Sequence, residues 1–266
     1  MTDANAWVRT WGGTENPRAV LLCFPPTGLG ASTFRPWQEE LGPNVLVAGI
    51  QLPCREERIE EEPPEQADVV ATAAVRALDG LATDGAPLIL VGVGSGTAMA
   101  LETAALLECL GRPARRVVLA TGRPPHFVGT PGDETVDQAT DILGQSDQEI
   151  VDSGCSCLPG LEVVAELDEW LVERMLTGFR ATVRMISGYA YEHPPLTSEV
   201  HAWHGSDDPL VRIEHNEGWQ RYTTGGFTAR SFPDCHDYFT ISRNAMPGAL
   251  RELLAADAAS AAGPRT

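Results

Sequence analysis

Apolar runs alternate with segments of helical spacing through the first half of the chain. Runs that are wholly or mostly apolar predict buried strands at 19–24, 45–52, 87–92 and 115–122. The segments between them carry apolar residues at helical spacing and predict helices at 33–42, 65–82 and 97–110. Near-continuous apolar strands that alternate with helices are typical of a parallel sheet covered on both faces. We therefore predict an α/β fold with a mostly parallel central sheet flanked by helices.

This alternation stops in the second half and then resumes. Residues 127–187 contain helical patterns and loops but no buried strand, and strands return at 200–203 and 228–232 before a last helix at 245–254. The simplest interpretation is a single α/β domain over 1–266 that carries a helical insertion of about sixty residues.

Charge and hydropathy exclude several classes of partner. The chain has 37 Asp and Glu against 19 Lys and Arg, a net charge of −18, which disfavours nucleic acid and anionic membrane surfaces. No apolar run reaches about 18 residues, so no membrane span is predicted. The first residues show no apolar leader, and we expect a cytoplasmic protein.

The third strand-to-helix junction carries a motif with chemical meaning. A nucleophile elbow has the spelling G-x-S-x-G, in which the serine lies on a sharp turn between a strand and a helix. Here the sequence is Gly92-Val93-Gly94-Ser95-Gly96, so the outer glycines are present while the central position is glycine. The serine, Ser95, comes one residue late.

Candidate catalytic partners for a nucleophile on this turn follow at the ends of later strands. The segment HGSDDPLV offers Asp208 and the segment FPDCHDYF offers His236, in the chain order nucleophile, acid, histidine that α/β-hydrolases use. In a triad of this kind the histidine moves the proton and a carboxylate fixes its tautomer. Two backbone N–H groups, here predicted to be those of Thr27 and Ser95, would stabilise an oxyanion.

These segments resemble the type II thioesterases of polyketide and nonribosomal peptide assembly lines along nearly the whole chain. The resemblance lies in LLCFPPTGLGASTFRPWQEEL, VAGIQLPCREERI, PLILVGVGSGTAMALETA, ATGRPPH and HGSDDPLV…FPDCHDYF. It implies an α/β-hydrolase fold with a helical lid at about 127–187. It also implies action in trans on acyl or peptidyl groups held by a carrier protein, with phosphopantetheine only as the carrier's arm and no cofactor of its own.

The resemblance assigns residues and marks departures from the family. Gly94 falls on the nucleophile, Asp208 on the triad acid and His236 on the triad base. Val93 and Pro26 stand where relatives have histidines, and these two, with Gly28, are expected to contact substrate. Cys54 and Cys235 replace glycines that relatives have before Arg-Glu and before the histidine.

The glycine at position 94 leaves several interpretations open. Ser95 could act as nucleophile after a one-residue shift, which would keep hydrolytic editing. Alternatively, the Asp208–His236 dyad performs acid–base chemistry on the bound intermediate without a covalent step. In a third interpretation the protein binds a carrier protein or an enzyme and catalyses nothing. A fourth is a zinc-bound water held by Cys155, Cys157 and Cys235, although this spacing is a weak zinc signal and reduced thiols are the simpler expectation.

Two further features predict packing or exposure. Cys23 and Cys109 lie in apolar runs and are predicted to pack in the core. The charge-rich run at 55–65 predicts a solvated loop.

Overall fold

The computed structural model describes residues 4–12, 16–81, 85–128, 141–152, 168–233 and 245–261. The described residues form a seven-stranded sheet with the order β1-β3-β2-β4-β5-β6-β7. Its strands are β1 (Val8–Thr10), β2 (Ala19–Phe24), β3 (Val45–Ile50), β4 (Leu88–Val93), β5 (Arg116–Ala120), β6 (Glu199–Gly205) and β7 (Phe227–Phe232). Strand β1 pairs antiparallel with β3, and every other neighbouring pair is parallel. The predicted α/β fold with a mostly parallel sheet is therefore confirmed.

Helices connect the strands on both faces of this sheet. The α-helices are α1 (Arg35–Leu41), α2 (Ala67–Leu78), α3 (Gly96–Cys109), α4 (Asp147–Asp152), α5 (Glu169–Ser187), α6 (Ile213–Gly218) and α7 (Ala245–Ala261). Short 3-10 turns occupy Ala4–Trp7, Ala31–Phe34, Glu56–Arg58, Pro125–Phe127 and Trp219–Tyr222. Within the described ranges, no helix combines the length and hydropathy needed to cross a bilayer.

The core lies in two layers, one on each face of the sheet. Helices α2 and α3 cover one face, where Leu22, Leu90 and Met99 are fully buried. Helices α1 and α7 cover the other face over Val91 and Trp203. Because β2 to β5 are buried on both faces, they have the continuous apolar sequences that the first pattern showed.

The structure differs from the sequence predictions at several places, three of which concern strand β1, helix α7 and Cys109. Strand β1 was not predicted, because a three-residue edge strand is too short to show a period. Helix α7 continues to Ala261 rather than ending at 254, since the alanine-rich segment has high helix propensity. Cys109 is exposed, and its predicted core packing is wrong because it lies on the outer side of the last turn of α3.

Part of the predicted helical insertion is described, and that part is helical. Helices α4 and α5 share a small apolar cluster built by Ile150, Val172, Leu176 and Phe179. The ranges 129–140 and 153–167 lie outside the described residues, so the function of this insertion as a lid stays a prediction.

We expect Leu90→Ala to lower the free energy of unfolding by about 2–5 kcal/mol, because it empties a fully buried position at the centre of β4. Leu110→Ala is the matched control: its side chain is 54% exposed and its loss should cost less than about 0.5 kcal/mol. Equilibrium denaturation by urea measures both. Equal effects of the two substitutions would contradict the described core.

Candidate active site

A sharp turn joins β4 to α3, and Gly94 is its apex. Gly94 has φ +55, a left-handed conformation that disfavours residues with a side chain. Its N–H donates to the Ala120 carbonyl at 2.8 Å and to Thr121 Oγ1 at 3.2 Å. Its carbonyl accepts the Thr97 hydroxyl at 2.7 Å. The apex is thus held by hydrogen bonds on both sides.

The outer glycines of the motif make this turn possible. A Cβ on Gly92 would lie 2.5 Å from the Gly96 carbonyl oxygen, and a Cβ on Gly96 would lie 2.2 Å from that of Phe24. Neither position therefore tolerates a side chain without movement of the backbone. Because the two crowded glycines are two residues before and two after Gly94, the turn is centred on Gly94.

Ser95 belongs to the start of the helix instead of the apex. Its backbone is helical, with φ −59 and ψ −25, and it is the residue immediately before α3. Its Oγ is buried and forms no hydrogen bond within the described residues. The backbone therefore does not adopt the shifted turn that a Ser95 nucleophile requires.

The loop after β2 lies directly against the apex. A Cβ built on Gly94 would be 3.2 Å from Pro26 Cβ, its nearest neighbour. The loop turns through Gly28, which has φ +79, and Leu29 N–H donates to the Pro26 carbonyl at 3.2 Å. Neither the Thr27 nor the Ser95 amide donates to an acceptor within the described part of the chain. Both amides thus remain available as oxyanion donors, which stays a prediction.

Val93 occupies a different environment from Pro26 and Gly28. It is fully buried in the apolar layer between the sheet and helices α1 and α7. This position gives a ligand no access to its side chain in the described structure.

Asp208 is buried in the loop that follows β6. Its Oδ1 accepts the N–H groups of Leu210 at 2.8 Å and Val211 at 2.9 Å, which fixes the carboxylate. The neighbouring His204 is also buried, and burial lowers its pKa while the Asp208 charge opposes that shift. His236 lies outside the described residues, so its pairing with Asp208 stays a prediction.

The cysteines of the zinc hypothesis, Cys155, Cys157 and Cys235, also lie outside the described residues. Cys54 is described and buried, and its Sγ donates to the Arg174 carbonyl at 3.1 Å. Burial raises the pKa of this thiol, so it is protonated at neutral pH. In the described ranges, no group of three or more His, Cys, Asp or Glu side chains is arranged to hold a metal ion.

A brace formed by Arg55 and Glu56 links the site's loop to α5. Arg55 Nη2 donates to the Gly178 carbonyl at 2.8 Å and to Thr182 Oγ1 at 3.0 Å. Glu56 accepts both the N–H and the hydroxyl of Ser32, in the loop after β2. The predicted solvated loop at 55–65 is therefore wrong at Arg55, which is 6% exposed because α5 covers it.

The brace has an unusual backbone and a charged centre. Cys54 has φ +60 and Glu56 has φ +48, values that carry strain of about 1–3 kcal/mol each in non-glycine residues. Burial lowers the pKa of Arg55 to about 10, so the guanidinium stays charged at neutral pH. A Cβ on Gly178 would lie 1.7 Å from Arg55 Nη1, which means that this glycine makes room for the guanidinium.

The sequence analysis did not place Thr121 beside the turn at Gly94, and it did not predict that Arg55 is buried against α5. Thr121 has φ +51 and lies beside the Gly94 apex at the end of β5. The signal for Thr121 was its place at a strand end in a parallel sheet, where ligands bind. For Arg55 no local pattern showed the burial, because its partners are more than 120 residues away in sequence.

A mostly parallel sheet with a glycine-flanked turn at the carboxyl edge of a central strand is the architecture of α/β-hydrolase-like proteins. The chain matches the Thioesterase domain family over residues 19–253, and it belongs to that family.

Relatives and solved structures support this assignment. The probable cadicidin biosynthesis thioesterase of Streptomyces griseus is 29% identical over 262 residues, which is 97% of this chain and 69% of the relative. The RedJ thioesterase of the prodiginine pathway in Streptomyces coelicolor superimposes with a TM-score of 0.75 at 30% identity, over 89% of this chain and 90% of RedJ. The type II thioesterase BorB of the borrelidin cluster gives a TM-score of 0.77 at 27% identity, over 96% of this chain and all of BorB.

We expect Gly96→Ala to lower the free energy of unfolding by at least about 2 kcal/mol, because the new methyl group would overlap the Phe24 carbonyl. Gly248→Ala in α7 is the matched control, since a Cβ there meets no atom within 4 Å and should stabilise by about 0.5–1 kcal/mol. Denaturant unfolding compares the two. If Gly96→Ala is as stable as Gly248→Ala, the close approach at the turn is incorrect.

Proposed function

We propose that the protein acts in trans on acyl or peptidyl thioesters carried by an assembly-line carrier protein, and that it does so without a serine nucleophile. The single observation that carries this is Gly94 at the left-handed apex of the turn, where its family resemblance puts the nucleophile. Membership of the Thioesterase domain family and similarity to type II thioesterases of polyketide pathways support the substrate class.

The loss of the serine changes the reaction that is chemically reasonable. Removal of the nucleophile from a serine triad typically lowers turnover by about a million-fold. The triad's acid and base are nevertheless present in the sequence as Asp208 and His236. We therefore propose that His236 transfers a proton to or from the bound intermediate, or to an attacking water, while Asp208 holds its tautomer.

Two features of the described site are consistent with this chemistry. Asp208 is buried and its Oδ1 accepts hydrogen bonds from two amides, so its carboxylate is held in place and is suited to orient an imidazole. Gly94 lacks a Cβ and is partly exposed beside Pro26, where a water or an acyl group would approach the turn. Amides of Thr27 and Ser95 would stabilise negative charge that develops on the acyl oxygen.

The carrier protein would be recognised at short range. With a net charge of −18 this chain mildly repels an acidic carrier at long range, so the contact would depend on complementary local groups and on the phosphopantetheine arm.

We expect Gly94→Ser to gain hydrolysis of acyl-carrier thioesters by at least about a hundredfold over Gly94→Ala, because serine restores the missing hydroxyl. Alanine is the matched control, since both variants put a Cβ at φ +55 and 3.2 Å from Pro26. Release of free carrier thiol measures the rate. A Gly94→Ser variant no faster than Gly94→Ala would show that no functional pocket surrounds this turn.

We expect His236→Ala to abolish conversion of the carrier-bound intermediate, with Asp208→Asn lowering it by about 10⁴-fold because the imidazole loses its fixed tautomer. Mass spectrometry of the loaded carrier follows the conversion. His193→Asn serves as the control, since its Nε2 lies 2.8 Å from Glu102, away from the turn. Wild-type behaviour of His236→Ala would show that the Asp208–His236 dyad does not catalyse the conversion.

A further inference from the structure

The hydroxyl of Thr121 lies next to Gly94, the partly exposed apex of the turn. In the sheet, Val93 of β4 is paired with Ala120 of β5, so Gly94 and Thr121 are the next residues along two adjacent parallel strands. The three atoms nearest to a Cβ built on Gly94 are Pro26 Cβ at 3.2 Å, Pro26 Cα at 3.7 Å and Thr121 Oγ1 at 4.0 Å. Thr121 Oγ1 is therefore the polar atom among the nearest neighbours of that space.

Within the described residues, the hydrogen bonds of Thr121 use its hydroxyl oxygen as an acceptor and leave the hydroxyl proton without an acceptor. Its Oγ1 accepts the Gly94 N–H at 3.2 Å, and its own N–H donates to the Trp203 carbonyl at 2.8 Å. Within the described ranges, the hydroxyl donates to no acceptor. A buried hydroxyl ordinarily uses its donor, and Thr121 is 2% exposed beside the partly exposed Gly94, so an oxygen atom of a ligand at this turn would be a suitable acceptor.

The backbone of Thr121 supports the same conclusion. Its φ of +51 is rare for a β-branched residue, because the branched Cβ crowds the backbone in the left-handed region. Strain of this kind persists where the surrounding structure imposes it, and it concentrates at functional sites. Here the hydrogen bonds to Gly94 and Trp203 hold the residue in place.

We propose that Thr121 is a ligand-binding residue of this site, whose hydroxyl donates a hydrogen bond to an oxygen atom held in the space at Gly94. The oxygen belongs either to the acyl carbonyl of the substrate or to a water bound beside it, and the chemistry of recognition is the same. This inference rests on the proposed function, because it takes the turn at Gly94 to be the place where the acyl group lies.

The experiment compares two stable pantetheine probes that differ by one oxygen atom. S-(2-oxobutyl)pantetheine carries a carbonyl and S-butylpantetheine does not, and calorimetry gives the dissociation constant of each. The variants are Thr121→Val, which keeps the β-branch and removes the hydroxyl, and Thr121→Ser, which keeps the hydroxyl. Thr103→Val is the matched control, since its buried hydroxyl bonds only to the Met99 carbonyl in α3. Conversion of a loaded carrier is measured on the same four proteins.

Two results support the proposal and identify the oxygen. If the oxygen is that of the acyl carbonyl, three proteins bind the ketone probe about fivefold more tightly than the butyl probe: wild type, Thr121→Ser and Thr103→Val. Thr121→Val then binds both probes equally. For a water, wild type binds both probes equally, while Thr121→Val alone lowers conversion of the loaded carrier by about tenfold.

Two other results overturn it in different ways. If Thr121→Val matches Thr103→Val in both measurements while wild type binds the probes, Thr121 contacts no ligand oxygen and the proposed function survives. If wild type binds neither probe and converts no carrier-bound intermediate, the proposed function fails and this inference falls with it. Thermal melts of the four proteins separate either result from unfolding, and Thr121→Ser keeps the test valid if Thr121→Val does not fold.

Discussion

The close approach of α3 to β2 is the constraint on which the rest of the site depends. Gly96 packs against the Phe24 carbonyl, and Gly92 packs against the Gly96 carbonyl, so the chain must leave β4 in a tight turn. That turn forces Gly94 into the left-handed region and directs it toward the carboxyl edge of the sheet. The loops that follow β2, β5 and β6 begin at the same edge, which is where a parallel sheet binds its ligands.

A second set of interactions connects this edge to the inserted helices. Glu56 holds Ser32 in the loop after β2, while its neighbour Arg55 holds the middle of α5. Arg174 of α5 adds hydrogen bonds to the Ile59 and Glu61 carbonyls, in the same connection between β3 and α2. The loop after β2 and helix α5 are therefore both held by one pair of adjacent residues, Arg55 and Glu56.

The fold was predictable from the sequence because its signals are local. The decisive contacts of the site were not predictable, because they join residues that are far apart in the chain. Each of the strands β2 to β5 is apolar over all or most of its length, and the motif at 92–96 marks the turn by its outer glycines. The sequence predicted neither the exposure of Cys109 nor the short strand β1, because each depends on which neighbouring residues pack against it. Thr121 became visible only when β5 lay beside β4, and the burial of Arg55 only when α5 packed over it.

The attachment of α5 combines two kinds of contact that respond differently to the solvent. Two of its arginines use carboxylates: Arg184 pairs with Glu65 and Arg180 pairs with Asp147. Its centre uses Arg55, whose acceptors are a carbonyl and a hydroxyl that neither acid nor salt neutralises. High ionic strength thus weakens the pairs of Arg180 and Arg184 with carboxylates before it weakens the buried hydrogen bonds of Arg55, so the contact at Gly178 outlasts the exposed ones.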